Sequence, residues 1–189
     1  MGETIVIGVV ATLVMDFGQR LLQAVTGLSI GNWALVGRWV AGFPRGVFVH
    51  RPITATRSVR GELAIGWAFH YAVGIAYAAI YVEITRLGFG SGPSLVSALV
   101  LAIALLVAPW FVMQPALGLG FMAARTPNPM AVRAVNVSVH LVFGFGLYLG
   151  ATLWGASVGQ ANWLFAIGHP DILDLRRPAQ IVGSLALIV

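Results

Sequence analysis

Cysteine and lysine are both absent from the 189 residues, and charge of either sign is scarce. Without cysteine there is no disulfide, no thiolate metal site and no cysteine nucleophile. All 11 basic residues are arginine. That bias has a genomic reading, a GC-rich source. It also has a chemical one, forked guanidinium groups meeting anionic lipid headgroups. Only 9% of residues are charged, against about 25% in soluble domains. The motifs of soluble enzymes are missing too: there is no Walker loop, GxSxG, HExxH, or GxGxxG before a helix. No basic patch stands outside the membrane-flanking connections, so nucleic acid is not an expected partner.

What is present is apolar. Hydrophobic residues make up 59% of the chain, and mean hydropathy is +0.90. A soluble fold of this length has too little interior to hide that much apolar surface. The expected solvent is therefore lipid, and the expected fold class is an all-α integral membrane protein, a four-transmembrane-helix bundle. The spans are placed at about residues 4–25, 61–85, 94–123 and 130–154 of a membrane domain 1–158. The first is read as retained, because only Glu3 precedes it and Asp16 interrupts its apolar run. Residues 159–189 read as an atypical tail, peripheral or disordered, since Ile181–Val189 is too short to span.

Polar residues inside spans are costly and need a reason. In span 1, Asp16 and Arg20 lie four apart and are expected to pair on one helix face, with Thr12 and Gln23 extending the stripe. In span 2, Glu62, Gly66, His70 and Gly74 recur every fourth residue, and the glycines allow a neighbouring backbone close to His70. Span 3 carries Pro109 and Pro115, each of which removes a backbone hydrogen bond, with Gln114 beside the second. In span 4, Asn136, His140 and Gly144 share a face. Counted from the span ends, Asp16, His70, Gln114 and His140 all fall roughly 14 Å below one surface. A shared intramembrane polar layer is the expectation, with Arg20, Glu62 and Asn136 in support.

The connection from Thr26 to Arg60 holds Arg38, Arg45, Arg51, Arg57 and Arg60. Within it, residues 32–40 read as a short interfacial helix. Trp33, Arg38, Trp39 and Arg45, with Arg125 of the third connection and Arg133 near the start of span 4, are assigned to the lipid headgroup layer. A lid over a site is the alternative for this segment. The second connection has Arg86 alone, so the positive-inside rule puts the long Arg-rich first connection and the third in the cytoplasm, and both termini outward. A weak internal repeat relates His70-x-x-x-Gly74-x-x-Tyr77 to His140-x-x-x-Gly144-x-x-x-Tyr148. Two parallel helical hairpins about an axis normal to the membrane account for it.

Three kinds of chemistry suit this layer. Small-solute or proton-linked transport uses the residues as a relay or a site. A redox protein uses His70 and His140 as ligands of a metal ion or of haem b, with Asp16 orienting a ring. A purely structural layer holds four helices in register. Beyond the bilayer and its anionic headgroups, a second copy of the chain or a membrane-complex partner is the expected company.

Five motifs carry a resemblance: Asn32-Trp33-x-x-Val36-Gly37-Arg38-Trp39, Pro44-Arg45-Gly46, Gly61-Glu62-x-x-x-Gly66-Trp67-x-x-His70-Tyr71, Ala108-Pro109-x-x-x-Met113-Gln114-Pro115 and Arg125-Thr126-Pro127-Asn128-Pro129. Over about residues 4–155 the chain resembles the bacterial inner-membrane family named domain of unknown function 2938. The resemblance implies a small multi-span protein and supplies no catalytic residues. Members of that family end soon after span 4, and the chain after about Ser157 departs from the pattern. The redox reading has a direct check in the visible spectrum of the purified protein. A Soret band lost in both His70→Ala and His140→Ala is the haem outcome; a colourless, metal-free preparation contradicts it.

Overall fold

The computed structural model describes residues 1–28, 31–87 and 93–168, and among them no strand forms. Its helices are α1 (Gly2–Thr26), α2 (Trp33–Val40), α3 (Glu62–Arg86), α4 (Leu95–Ala104), the single turn α5 (Gln114–Ala116) and α6 (Pro129–Gly168). A π-helical segment, Ala108–Met113, joins α4 to α5. Four stretches are long and apolar enough to cross a membrane: Gly2–Thr26, Glu62–Arg86, Leu95–Ala116 and Pro129–Val158. The described residues are therefore all-α, with the expected four helices of membrane-crossing length and composition. Helix is what lipid demands, because each span then satisfies its own backbone groups.

The ends follow local chemistry. α1 stops at Gly27, which sits in the left-handed region and returns its N–H to the Gln23 carbonyl. The Asn32 side chain caps α2 by accepting from the Ala34 N–H. At the start of α6, Asn128 Oδ1 accepts from the Ala131 N–H.

Close approach through small residues holds the bundle together. On α3, a Cβ at Gly74 would meet Thr12 Oγ1 of α1, and a Cβ at α1's Gly8 would meet the Ile75 backbone. On α6, Gly144 lies against Ala98 and Ala102 of α4, while Gly146 and Gly150 lie against Ala11 and Ile7 of α1. Each proposed hairpin thus brings its two helices together at the glycine four residues beyond its histidine. The core between them contains Ile7, Ala11, Tyr81, Ala98, Phe143 and Leu147, all buried. Tyr81 also donates to the Ser94 carbonyl at 3.2 Å, tying α3 to the start of α4.

The third span is shorter than residues 94–123. Proline at 109 has no N–H and crowds the preceding turn, and the chain widens there into the π-helical segment. Helix then ends at Ala116, because Gly118 and Gly120 take φ of 87° and 76°. The fourth helix is longer than residues 130–154: Gly155 does not break it, and it runs to Gly168. The chain divides into two compact units, Met1–Trp154 and Gly155–Val189. The second unit is helical as far as Gly168, and the expected peripheral tail beyond it lies outside the described residues.

The first connection folds into a cap. Trp39, Ile53, Ala116 and Leu117 form a second core with Val36. The His50 N–H donates to the Ala116 carbonyl at 2.7 Å and the Ile53 N–H to Leu117 at 3.0 Å. So the cap is built on the end of the third span. α2 lies tight against α3: a Cβ on Gly37 would overlap the Glu62 carbonyl, and one on Gly66 the Trp33 carbonyl. Neither backbone can yield cheaply. Gly37→Ala and Gly66→Ala are each expected to destabilise the protein by about 1–3 kcal/mol. The helical, open Gly155→Ala should be neutral or stabilising by up to about 1 kcal/mol. Thermal unfolding in detergent checks all three.

Candidate functional site

Asp16 is the residue with most at stake. A carboxylate at the middle of a span costs about 2.5–3.5 kcal/mol on insertion scales unless it is met by partners. The expected partner, Arg20, is exposed one turn away and makes no contact with it. Instead His70 Nε2 lies 2.9 Å from Asp16 Oδ1, and the Tyr71 hydroxyl donates to Oδ2 at 3.0 Å. The Gly74–Thr12 approach of α3 to α1, one turn above, is what brings the ring within reach. Thr12 turns its own hydroxyl back to the Gly8 carbonyl, so it makes no demand on the pair.

His70 is 7% exposed. Its ring stacks on Trp33 of α2, with centroids 3.9 Å apart and planes at 28°. Trp33 and Trp39 therefore face inward, and Trp39 Nε1 donates to the Phe48 carbonyl at 2.8 Å. Arg38 likewise turns to the protein. Its Nε and Nη2 each reach a Glu62 oxygen at 2.8 Å, and Nη1 donates to the Thr56 carbonyl at 2.7 Å. The paired carboxylate raises the Arg38 pKa above its already high ordinary value. These three residues leave the headgroup assignment for a physical reason: α2 packs on α3 through glycine, and its large side chains have nowhere else to go. Arg45 and Arg125 remain exposed, and Arg133 Nε holds the Met122 carbonyl at 2.8 Å, where Met122 and Ala123 take positive φ.

On the opposite wall, His140 Nδ1 lies 2.9 Å from the Asn136 carbonyl. A carbonyl only accepts, so Nδ1 carries the hydrogen and the neutral ring keeps Nε2 as its acceptor. Asn136 Oδ1 accepts from Gln114 Nε2 at 2.8 Å and from Trp110 Nε1 at 3.2 Å. Gln114 is thus joined to Asn136, one turn from His140, and not to the Asp16–His70 pair. Its helix ends at Ala116, seven residues short of the expected end of the third span. Gln114 Oε1 is buried without a protein partner.

Between these two groups lies a cavity of about 280 Å³. His70, Asn136 and His140 line it, with Thr12 and Gln19 from α1. Gln19 and Tyr71 were missed in the sequence. Gln19 carries a signal, three residues after Asp16 and seven after Thr12, which keeps it on their face. A metal ion finds a poor donor set here. His70 Nε2 is engaged by Asp16, and among the described residues no three His, Asp or Glu side chains gather to hold a metal ion.

The fold and site define an all-α bundle with four helices long and apolar enough to cross a membrane, an aromatic cap at one end, and a hydrogen-bonded acid–imidazole pair beside a cavity. The chain matches the family described as protein of unknown function (DUF2938) over residues 5–154, and it belongs to that family. No curated protein and no solved structure matches it.

Asn136 satisfies two donors at once, on buried Gln114 and half-buried Trp110. Asn136→Ala is expected to cost about 1–3 kcal/mol, because both are left unpaired. Trp110→Phe removes one of those donors and leaves no orphan, so its loss should be about 1 kcal/mol or less. Unfolding midpoints of the two variants in detergent check the order.

Proposed function

We propose that the protein is a proton-linked carrier of a small solute in the bacterial inner membrane, with the cavity as its solute site. The observation that supports this reading is the Asp16–His70 hydrogen bond at the cavity wall. An imidazole beside a carboxylate is a proton donor and acceptor in one group. Buried acid–histidine pairs inside spans serve as proton relays. Trp33, stacked on the ring, makes α2 the lid of the same site.

Sidedness follows from arginine. The capped end holds the first connection, with Arg38, Arg45, Arg51, Arg57 and Arg60, and the third, with Arg125. The other end has Arg86, drawn to Glu3 and Glu83 at 2.8 and 3.1 Å. The capped end is cytoplasmic on this reading. The chain's own lack of cysteine makes the test simple. A cysteine at the exposed Leu87 (L87C) should react with a membrane-impermeant maleimide on intact cells, and one at the exposed Ser58 (S58C) only after permeabilisation. The reverse pattern contradicts the orientation.

Transport itself is tested in everted vesicles that carry a pH gradient, read by a pH-sensitive dye while a solute library is added. Some solutes should discharge the gradient with the wild type, and Asp16→Asn and His70→Gln should abolish that discharge at unchanged protein levels. Variants that respond as the wild type does to every active solute overturn the proposal.

A further inference from the structure

We infer that the solute is a small lipophilic ammonium bearing at least one N–H, exchanged for the proton of the Asp16–His70 pair. The inference rests on the proton-linked reading above and adds the chemical class of the solute. Four properties of the cavity carry it.

The first is the wall. Trp33, Trp39, Phe69, Tyr77 and Phe143 line the cavity, and aromatic faces attract cations, Trp most strongly. The second is charge. Among the described residues no arginine lines the cavity, and the chain has no lysine. Arg38 is committed to Glu62, and Arg20 is exposed. An anion would find no counter-charge there, whereas Asp16 stands directly behind His70. The third is the hydrogen-bond sense. With Nδ1 donating to the Asn136 carbonyl, neutral His140 offers an occupant an acceptor, Nε2. An ammonium N–H satisfies it; a quaternary nitrogen or a carboxylate cannot. The fourth is size. About 280 Å³ lies at the small end of ligand pockets, which begin near 300 Å³.

These properties explain the exchange. The titratable groups facing this site are Asp16 from α1, Tyr71 and Tyr77 from α3 and, on the opposite wall, His140 from α6. α2 brings Trp33 and Trp39, and the third span brings Ala108, Pro109, Val112 and Met113, none of them titratable. A proton on His70 places a positive charge on the cavity wall and neutralises Asp16. An ammonium in the same cavity is then repelled. When the ammonium enters, the proton leaves to solvent, and the net charge around Asp16 is unchanged. One cation replaces the other, and no bond other than the N–H of the imidazole is broken.

The test uses the full chain in lipid nanodiscs, with benzylammonium, benzyltrimethylammonium, benzyl alcohol and benzoate as probes. Binding is followed by calorimetry in two buffers of different ionisation enthalpy, which counts the protons released. Benzylammonium should bind best, about tenfold tighter than its quaternary analogue, the worth of one buried hydrogen bond. Benzoate should not bind. Close to one proton should leave per benzylammonium bound, and His70→Gln, shown folded by circular dichroism, should release none. His140→Leu should erase the preference for N–H over quaternary nitrogen. Binding of benzoate or benzyl alcohol as tight as that of benzylammonium overturns the cation class, and leaves the proton-linked reading standing if a proton still moves. Benzylammonium binding without proton release overturns the exchange and counts against the proton-linked reading itself. Failure of all four probes to bind overturns the inference as stated.

Discussion

A carboxylate in a span surrounded by lipid must have partners of its own, and Asp16 has two. His70 and Tyr71 stand next to each other on α3 and take one carboxylate oxygen each. Everything nearby is arranged to let them reach. Gly74 admits Thr12 one turn above, which sets the distance between α1 and α3. Gly66 admits α2 one turn below, which puts Trp33 on the His70 ring. The 4-residue spacing of Gly66, His70 and Gly74 is therefore one device. Two small residues draw a helix in from either side, and the histidine between them receives both.

The same logic explains the cap. Arg38 and Glu62 form a two-point ion pair that also takes the Thr56 carbonyl and the Val59 N–H. That pair ties α2, the loop and the first turn of α3 into one body over the cavity. Its worth is mainly geometric, since forked guanidinium–carboxylate contacts fix orientation as well as energy. Among the described residues at the opposite end of the bundle, Arg86 meets Glu3 and Glu83 at an exposed surface, where such pairs contribute little.

Much of the fold was legible in the sequence because lipid leaves few choices. Four long apolar runs can only be helices, and their starts were placed within two residues. The third span's end was not legible, because Pro109 and Pro115 look alike in sequence. The first is absorbed by a π-helical segment inside the helix, and the second is followed within three residues by a turn on Gly118. In the site, His70 and His140 were visible as lone polar rings on glycine-bearing faces. Their partners were harder to see. Asp16 has Arg20 on its own helix at ideal spacing, but pairing there would leave His70 unmet. A partner from another helix wins when it is already held in place by backbone packing. The inward turn of Trp33, Arg38 and Trp39 was hidden for a related reason: Trp and Arg suit the headgroup layer by composition, and only the tight Gly37–Glu62 contact decides otherwise.

The central claim is that His70 is the group that changes its proton while Asp16 holds it. The most direct measurement is the ¹⁵N spectrum of imidazole-labelled protein in bilayers, with and without benzylammonium. The His70 ring, assigned by its loss in His70→Gln, should pass from the doubly protonated to the neutral form when benzylammonium binds, with the fold intact and the change altered in Asp16→Asn. A His70 ring that keeps one form with and without benzylammonium contradicts it.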